Sequence, residues 1–159
     1  MSSDSDIRVD VDLMRTGDLD EILDIERESF QMPWTRGMFL DELRVAHAQC
    51  LVVRAEMSGQ TLIAGYIIFW LVAGEAHLHN LAVRKEFRRQ GLACNLMHLM
   101  KDIAAGAGIE KQTLEVREKN SAAIELYHKC GFVVKGRRPK YYADSQEAAL
   151  IMWAGKRQD

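Results

Sequence analysis

Between Ala76 and Val116 the sequence reads strand, basic loop, helix, strand, and this order constrains the fold more than any other feature. Two strands joined through a helix can lie parallel in one sheet only by a crossover, and such crossovers are right-handed. The first strand is "EAHLHNLAV", ending at Val83, and the loop is "RKEFRRQ". From Gly91 the residues Leu92, Leu96, Leu99 and Ile103 step by four, three and four, which is one face of a helix ending near Gly106 and Gly108. "KQTLEVR" is the second strand.

The flanking segments supply the other elements. Ile7 to Met14 alternates as a strand does. Asp18 is expected to cap a first helix with Glu21 as its capping-box partner, and Leu19, Ile22, Leu23 and Phe30 have helical spacing. Pro33 breaks that helix, and Thr35 is placed to cap a second one carrying Met38, Phe39 and Leu43. Cys50–Glu56, Thr61–Val72 and Glu75–Val83 read as strands, with Ser58-Gly59 and Gly74 in the turns. Asn120 caps a last helix and Gly131 ends it. Phe132–Lys135 and Ala148–Trp153 are the closing strands, linked by "GRRPKYYADSQE". The order β-α-α-β-β-β-α-β-α-β-β predicts an α/β fold with a mixed sheet and helices on both faces. Residues 1–6 are expected to be a flexible N-terminus, and 7–155 a single domain.

Composition narrows the function. Lysine and arginine number 21 against 23 acidic residues, so bulk charge makes no case for nucleic-acid binding. The longest apolar run, Leu62–Gly74, is too short for a membrane helix and reads as a buried strand. The first residues show no secretory signal pattern. Cys50, Cys94 and Cys130 are far apart and odd in number, which fits neither a disulfide framework nor a zinc site. A cytoplasmic protein with no metal and no membrane partner is expected.

The loop before Gly91 allows two readings. It is a solvated basic surface, or it is a phosphate cradle in which unpaired helix N–H groups meet an anion. Gly91 would let a phosphate reach the backbone, Ala93 is nearly as small, and Arg88 and Arg89 would add charge. No Gly-Lys-Ser/Thr follows, so this is not an NTPase loop.

"RRQGLA" resembles the R/Q-x-x-G-x-G/A loop of the GNAT superfamily of N-acetyltransferases. "PWTRGMFLDEL", "EAHLHNLAV", "LEVREKNSAAIELYHKCGF" and "GRRPKYY" with "EAALIM" occur in order around it and are similar to the RimI-type branch. The resemblance covers nearly all of residues 7–153. Lys85 stands where many relatives carry proline and Ala93 where they carry a second glycine. Tyr141-Tyr142-Ala143 and Glu147-Ala148 replace Tyr-Tyr-Pro and Glu-Asp.

The resemblance implies a GNAT fold: a mixed, mostly antiparallel twisted sheet of about seven strands, splayed between "HNLAV" and "TLEVR". It implies acetyl-CoA as co-substrate and transfer to the N-terminal alanine of a small-subunit ribosomal protein, directly in a ternary complex. A broader protein N-terminal acetyltransferase and a small-molecule amine acetyltransferase are the alternatives. The backbone of Leu81, Ala82 and Val83 would pair with the pantetheine arm, with the Leu81 N–H meeting the oxyanion. Arg88, Arg89, Gln90, Gly91, Leu92, Ala93 and Cys94 would hold the pyrophosphate side, and Asn120 would also touch the cofactor. A monomer or weak dimer, with no direct nucleic-acid contact, is expected.

Two residues carry the implied chemistry. Glu115 shares a strand face with Thr113 and Arg117; by itself it is either an ion-paired carboxylate or a base for the amine. The resemblance places it at the catalytic glutamate. Tyr127 is by itself a half-buried helix tyrosine, and the resemblance makes it the acid that protonates the leaving thiolate. His77 and His79 share a strand face, but no third ligand has matching spacing for a metal; His79 is a packed histidine or a secondary proton carrier. Phe30, Met32, Trp34, Tyr141 and Tyr142 lie in two distant loops, which in RimI-type enzymes flank the peptide groove; Trp34 and Tyr141 are assigned to the acceptor side. Lys135 to Lys140 is a second basic stretch, either a contact to a ribosomal particle or a solubilised hairpin.

Overall fold

The computed structural model describes Arg8–Gly155; the expected flexible segment 1–6 and Ile7 lie outside the described residues. The elements follow the expected order: β1 (Arg8–Leu13), α1 (Leu19–Ser29), α2 (Arg36–Leu43), β2 (Ala48–Met57), β3 (Gln60–Val72), β4 (Glu75–Val83), α3 (Leu92–Gly106), β5 (Lys111–Arg117), α4 (Ser121–Lys129), β6 (Val133–Arg138) and β7 (Ala149–Gly155). Short 3₁₀ turns precede α1 and occupy Lys85–Phe87. The strands form one seven-stranded sheet, mostly antiparallel, in the order β1-β2-β3-β4-β5-β7-β6. β4 and β5 pair in parallel over Glu75–His77 and Lys111–Thr113, as the crossover requires. No helix among the described residues is long and apolar enough to cross a membrane.

Local chemistry explains most boundaries. Ser58-Gly59 and Ala73-Gly74 all have positive φ, the backbone of the tight turns that match strand twist, so β2–β3 and β3–β4 are joined by two-residue loops. Thr35 Oγ1 accepts the Met38 N–H at 3.3 Å and starts α2, and Asn120 Oδ1 accepts the Ala123 N–H at 3.2 Å and starts α4. α3 and α4 end alike. Gly108 and Gly131 turn left-handed, and the N–H of the next residue, Ile109 or Phe132, reaches back to the carbonyl of Ala104 or Tyr127.

Two expectations need correction. Asp18 does not cap α1 with its side chain. Its carboxylate instead accepts Arg54 Nη1 and Nη2 at 2.8 and 2.9 Å and the Arg15 N–H at 2.9 Å. Glu21, its expected partner, accepts the Ile63 N–H at 2.9 Å and Arg84 Nη2 at 2.6 Å. Charged guanidinium donors bind a carboxylate more strongly than neutral amides do, so both acids are drawn away from the helix start. Second, Gly136–Arg138 belongs to β6 rather than to a linking segment. It pairs with Ala149–Ile151 past an irregularity at Lys135, a bulge that shifts the register by one residue.

The chain divides into two compact units. The first comprises residues up to Ile68 together with Asn80–Ala93. Its core joins Leu19, Ile22, Leu23 and Ile25 of α1 to Phe39, Val52, Ile63, Tyr66, Ile68 and Ala82. In this unit β3 approaches β4 so closely that a Cβ on Gly65 would lie 2.9 Å from the Ala82 carbonyl oxygen. The second comprises Phe69–His79 and the chain from Cys94 on. Its buried residues include Leu96, Met97, Met100 and Ala104 of α3, Leu114 and Val116 of β5, Phe132, and Met152 and Ala154 of β7. The α3 face that is buried is therefore turned slightly from the Leu92-Leu96-Leu99-Ile103 stripe read in the sequence, with only Leu96 common to both.

Candidate active site

In the first unit the basic loop is built by its own arginines. Arg84 donates Nε to the Ile63 carbonyl at 2.7 Å and Nη2 to Glu21, while its N–H meets the Ala64 carbonyl at 2.7 Å. Phe87 is buried and pins the 3₁₀ turn. Arg88 donates Nε to the Val83 carbonyl at 2.9 Å and Nη2 to Ser29 Oγ at 3.0 Å. Gln90 folds back on Glu86. Much of the positive charge in the sequence thus braces the loop.

From Arg89 to the start of α3 the backbone turns left-handed twice. Arg89 has φ +61° and Gly91 φ +82°, with α3 beginning at Leu92. A left-handed non-glycine residue costs roughly 1–3 kcal/mol and persists where the surroundings demand it. A Cβ on Gly91 would meet no atom within 4 Å, so the glycine is required by backbone conformation and not by crowding. Arg89 is exposed, and Leu92 and Ala93 are half-buried. This stretch fits a pyrophosphate, with the first N–H groups of the 15-residue α3 pointing out of the helix end. In the strand before it, Ala82 and Val83 are buried and Leu81 is half-buried.

Trp34 also lies in the first unit. The Trp34 ring packs 5.2 Å from Phe39 at the edge of the core, and the Trp34 backbone N–H donates to Glu26 Oε1 at 3.0 Å. Phe30 packs on the same core, whereas Met32 is exposed.

The second unit holds the candidate acid and base. Glu115 is exposed in β5 between buried Leu114 and Val116, in register with Ile151 of β7. Its Oε1 lies 3.5 Å from Arg138 Nη1 of β6. Arg117, the nearer arginine in sequence, pairs instead with Asp144 and Glu147 at 3.0 and 3.7 Å and lies 4.0 Å over the Tyr142 ring. Tyr141 shares a hydrogen bond with Glu115 that holds its phenol proton, pushing its pKa up. Tyr141 is exposed, its ring is edge-on to Tyr142 at 5.0 Å, and Arg138 is 5.8 Å from its centroid. Glu115, Tyr141 and Arg138 thus form one cluster. Arg137 is neutralised by Glu118, at 2.9 Å, so the second basic stretch is smaller than its sequence reads.

Tyr127 is set by the end of α4. Its carbonyl accepts Phe132 N–H at 2.9 Å, and the two rings meet edge to face at 6.2 Å. Burial pushes its phenol up to about 12, with Cys130 and Tyr142 nearby adding to the rise. It is a protonated donor across the physiological range. Asn120 spends Oδ1 on the helix cap, and its Nδ2 is a separate donor. Cys94 lies in the first turns of α3 with Sγ 3.0 Å from Cys130 Sγ. Burial and the bond to Cys94 push the Cys130 thiol up to about 12, so at neutral pH it is a thiol and a poor nucleophile. His77 Nε2 meets Glu75 at 2.8 Å, and the His79 ring stacks 4.3 Å from Trp70. Both histidines have local packing partners, and no cluster of three metal-ligating side chains occurs among the described residues.

The sequence reading missed Gly65, Glu26 and Arg138. Glu26 left one signal, a carboxylate inside the apolar stripe of α1. Gly65 sits inside a strand, where a glycine marks close backbone approach. Arg138 left none, since its partner is distant in sequence.

Comparison with known proteins gives the class. The acetyltransferase (GNAT) family profile matches residues 19–132, and the chain belongs to that family. Within it the chain is similar to the RimI-type enzymes. A Bacillus subtilis protein provisionally named [ribosomal protein bS18]-alanine N-acetyltransferase is 38% identical over 88% of this chain and 91% of its own length. The Salmonella typhimurium [ribosomal protein bS18]-alanine N-acetyltransferase is 31% identical over 89% of this chain and 94% of its own. The crystal structure of the ribosomal-protein-S18-alanine N-acetyltransferase from Escherichia coli superposes with a TM-score of 0.81, covering 96% of each chain at 29% identity.

Proposed function

We propose that the protein transfers acetyl from acetyl-CoA to the N-terminal alanine of the small-subunit ribosomal protein bS18. The left-handed pair Arg89 and Gly91 at the start of α3 carries this reading, because it supplies the anion cradle that the co-substrate needs. Relatives named for that reaction, similar over most of their length, support the acceptor. A ribosomal protein is modified where ribosomes are assembled, so the enzyme works in the cytoplasm. Residues 7–155 act as one N-acetyltransferase domain, a reading supported by a family match that runs through both units.

The residues divide the work. Leu92, Ala93 and the loop N–H groups hold the pyrophosphate, with Arg89 as its charged rim. The backbone of Leu81, Ala82 and Val83 aligns the pantetheine, and the Leu81 N–H stabilises charge on the reacting carbonyl oxygen. Glu115 takes the proton of the α-ammonium, whose pKa near 8 demands only a modest base. As the C–N bond forms and the C–S bond breaks, Tyr127 gives its proton to the leaving thiolate, and the second proton lost by the acylated nitrogen returns through solvent to the Tyr127 phenolate. Arg138 and Tyr141 hold the Glu115 carboxylate in place. Transfer is direct, with the amine attacking the thioester in a ternary complex.

Purified protein with acetyl-CoA should acetylate a peptide carrying the bS18 N-terminus and leave polyamines unmodified. Equal rates across peptides with varied first residues would replace alanine selectivity with the broader activity. Mass spectrometry of protein N-termini in cells with and without the protein identifies the acceptor.

A further inference from the structure

Glu26 is the most deeply buried acid among the described residues, 1% exposed in the core of the first unit. Oε1 accepts the Trp34 N–H at 3.0 Å, and Oε2 accepts Tyr66 Oη at 2.5 Å and Asn80 Nδ2 at 3.0 Å. These partners come from three places: the segment between α1 and α2, the middle of β3, and the residue of β4 just before Leu81. Burying a carboxylate among neutral donors is costly, and a wholly apolar set of side chains at Glu26, Tyr66 and Asn80 would fill the space without that cost. Packing therefore does not explain it.

We infer that Glu26 is a positioning residue for the acceptor. It ties the Trp34 segment to β3 and to β4, the strand proposed to align the pantetheine, and so sets where the peptide amine is held. The inference rests on the proposed N-terminal acetylation for the role of the Trp34 segment, and on geometry alone for the bonds. Charge-assisted bonds to both carboxylate oxygens fix the segment in distance and in direction, which a hydrophobic contact cannot do. Phe39 assists by packing its ring between Trp34, at 5.2 Å, and Tyr66, at 6.0 Å.

The test compares Glu26→Gln and Glu26→Leu by steady-state kinetics below their unfolding temperatures, with amide hydrogen exchange at Trp34. Gln keeps an acceptor for the Trp34 N–H, whereas Leu keeps none. Glu26→Leu should raise the peptide KM about tenfold or more, as expected when a reactant loses its placement. The acetyl-CoA KM should stay within about twofold, and Trp34 exchange should quicken at least about tenfold with the loss of one buried bond. Glu26→Gln should restore most of the peptide KM. A lowered Tm with both KM values unchanged would show a merely structural acid and overturn the inference. If wild type turns over no N-terminal peptide, the proposed function fails instead, and unchanged Trp34 exchange in both variants overturns the inference independently. Should Glu26→Leu not fold, Glu26→Gln with wild-type exchange and a peptide KM raised as far as acetyl-CoA KM also overturns it.

Discussion

The carbonyl of Tyr127 accepts the N–H of Phe132 at 2.9 Å while the two rings pack edge to face. One glycine-terminated helix end thereby fixes both the backbone and the ring of the candidate acid. Gly131, at φ +90°, permits the turn that brings Phe132 back.

Tyr127→Phe keeps this packing and removes only the hydroxyl. Turnover should fall roughly 10²-fold, the usual contribution of a general acid, while acetyl-CoA binding by calorimetry is retained. The variant should also change alkaline stability. The phenol titrates near 10 when exposed and at about 12 in the fold. Its contribution is complete below pH 10 and is lost as pH rises through 12, because the unfolded chain ionises first. Denaturant titrations should show a smaller loss across that window in Tyr127→Phe than in wild type.

Glu115→Gln should lower turnover by about 10²-fold or more with acetyl-CoA affinity unchanged. Arg138→Ala removes a partly exposed ion pair and should leave Tm nearly unchanged, since such pairs contribute little to stability. Wild-type turnover in Glu115→Gln would remove Glu115 as the base.

Two glycines should respond differently to alanine. In Gly65→Ala the new Cβ meets the Ala82 carbonyl at 2.9 Å, so the backbone of the cofactor strand must shift. Both Tm and acetyl-CoA affinity should drop. In Gly91→Ala the methyl group meets nothing, and only the φ of +82° is strained, costing about 1 kcal/mol. Affinity should fall with a small change in Tm. Thermal unfolding beside calorimetry separates the two.

Asp18→Asn should flatten the acid limb of stability. Burial pushes the Asp18 carboxyl up, but the Arg54 hydrogen bonds, the Arg15 N–H and the charges of both arginines together outweigh it and hold the group below its usual 3.8. That contribution is present in full above pH 3.8 and is lost as pH falls through the lower folded value. At neutral pH the variant should lose about 1–2 kcal/mol, measured by urea titration.

The order of elements, the caps at Thr35 and Asn120 and the glycine ends of α3 and α4 were all legible from the sequence, whereas the left-handed backbone at Gly91 was not. Each legible feature depends on residues a few positions apart, whose backbone geometry is set by their own side chains. The partners of charged groups were not legible. Asp18 and Glu21 look like a capping box until Arg54, 36 residues away, and Arg84, 63 residues away, claim them. Glu115 looks set to pair with Arg117, yet β6 brings Arg138 to it across the sheet. Glu26 stands out in the sequence only as an acid within the apolar stripe of α1, and its partners appear when β3 and β4 close over it. Backbone conformation is decided by local sterics and hydrogen bonds, so the sequence alone determined it. A charge goes to whichever counterpart or donor the packed chain brings nearest, and only the tertiary structure decides that.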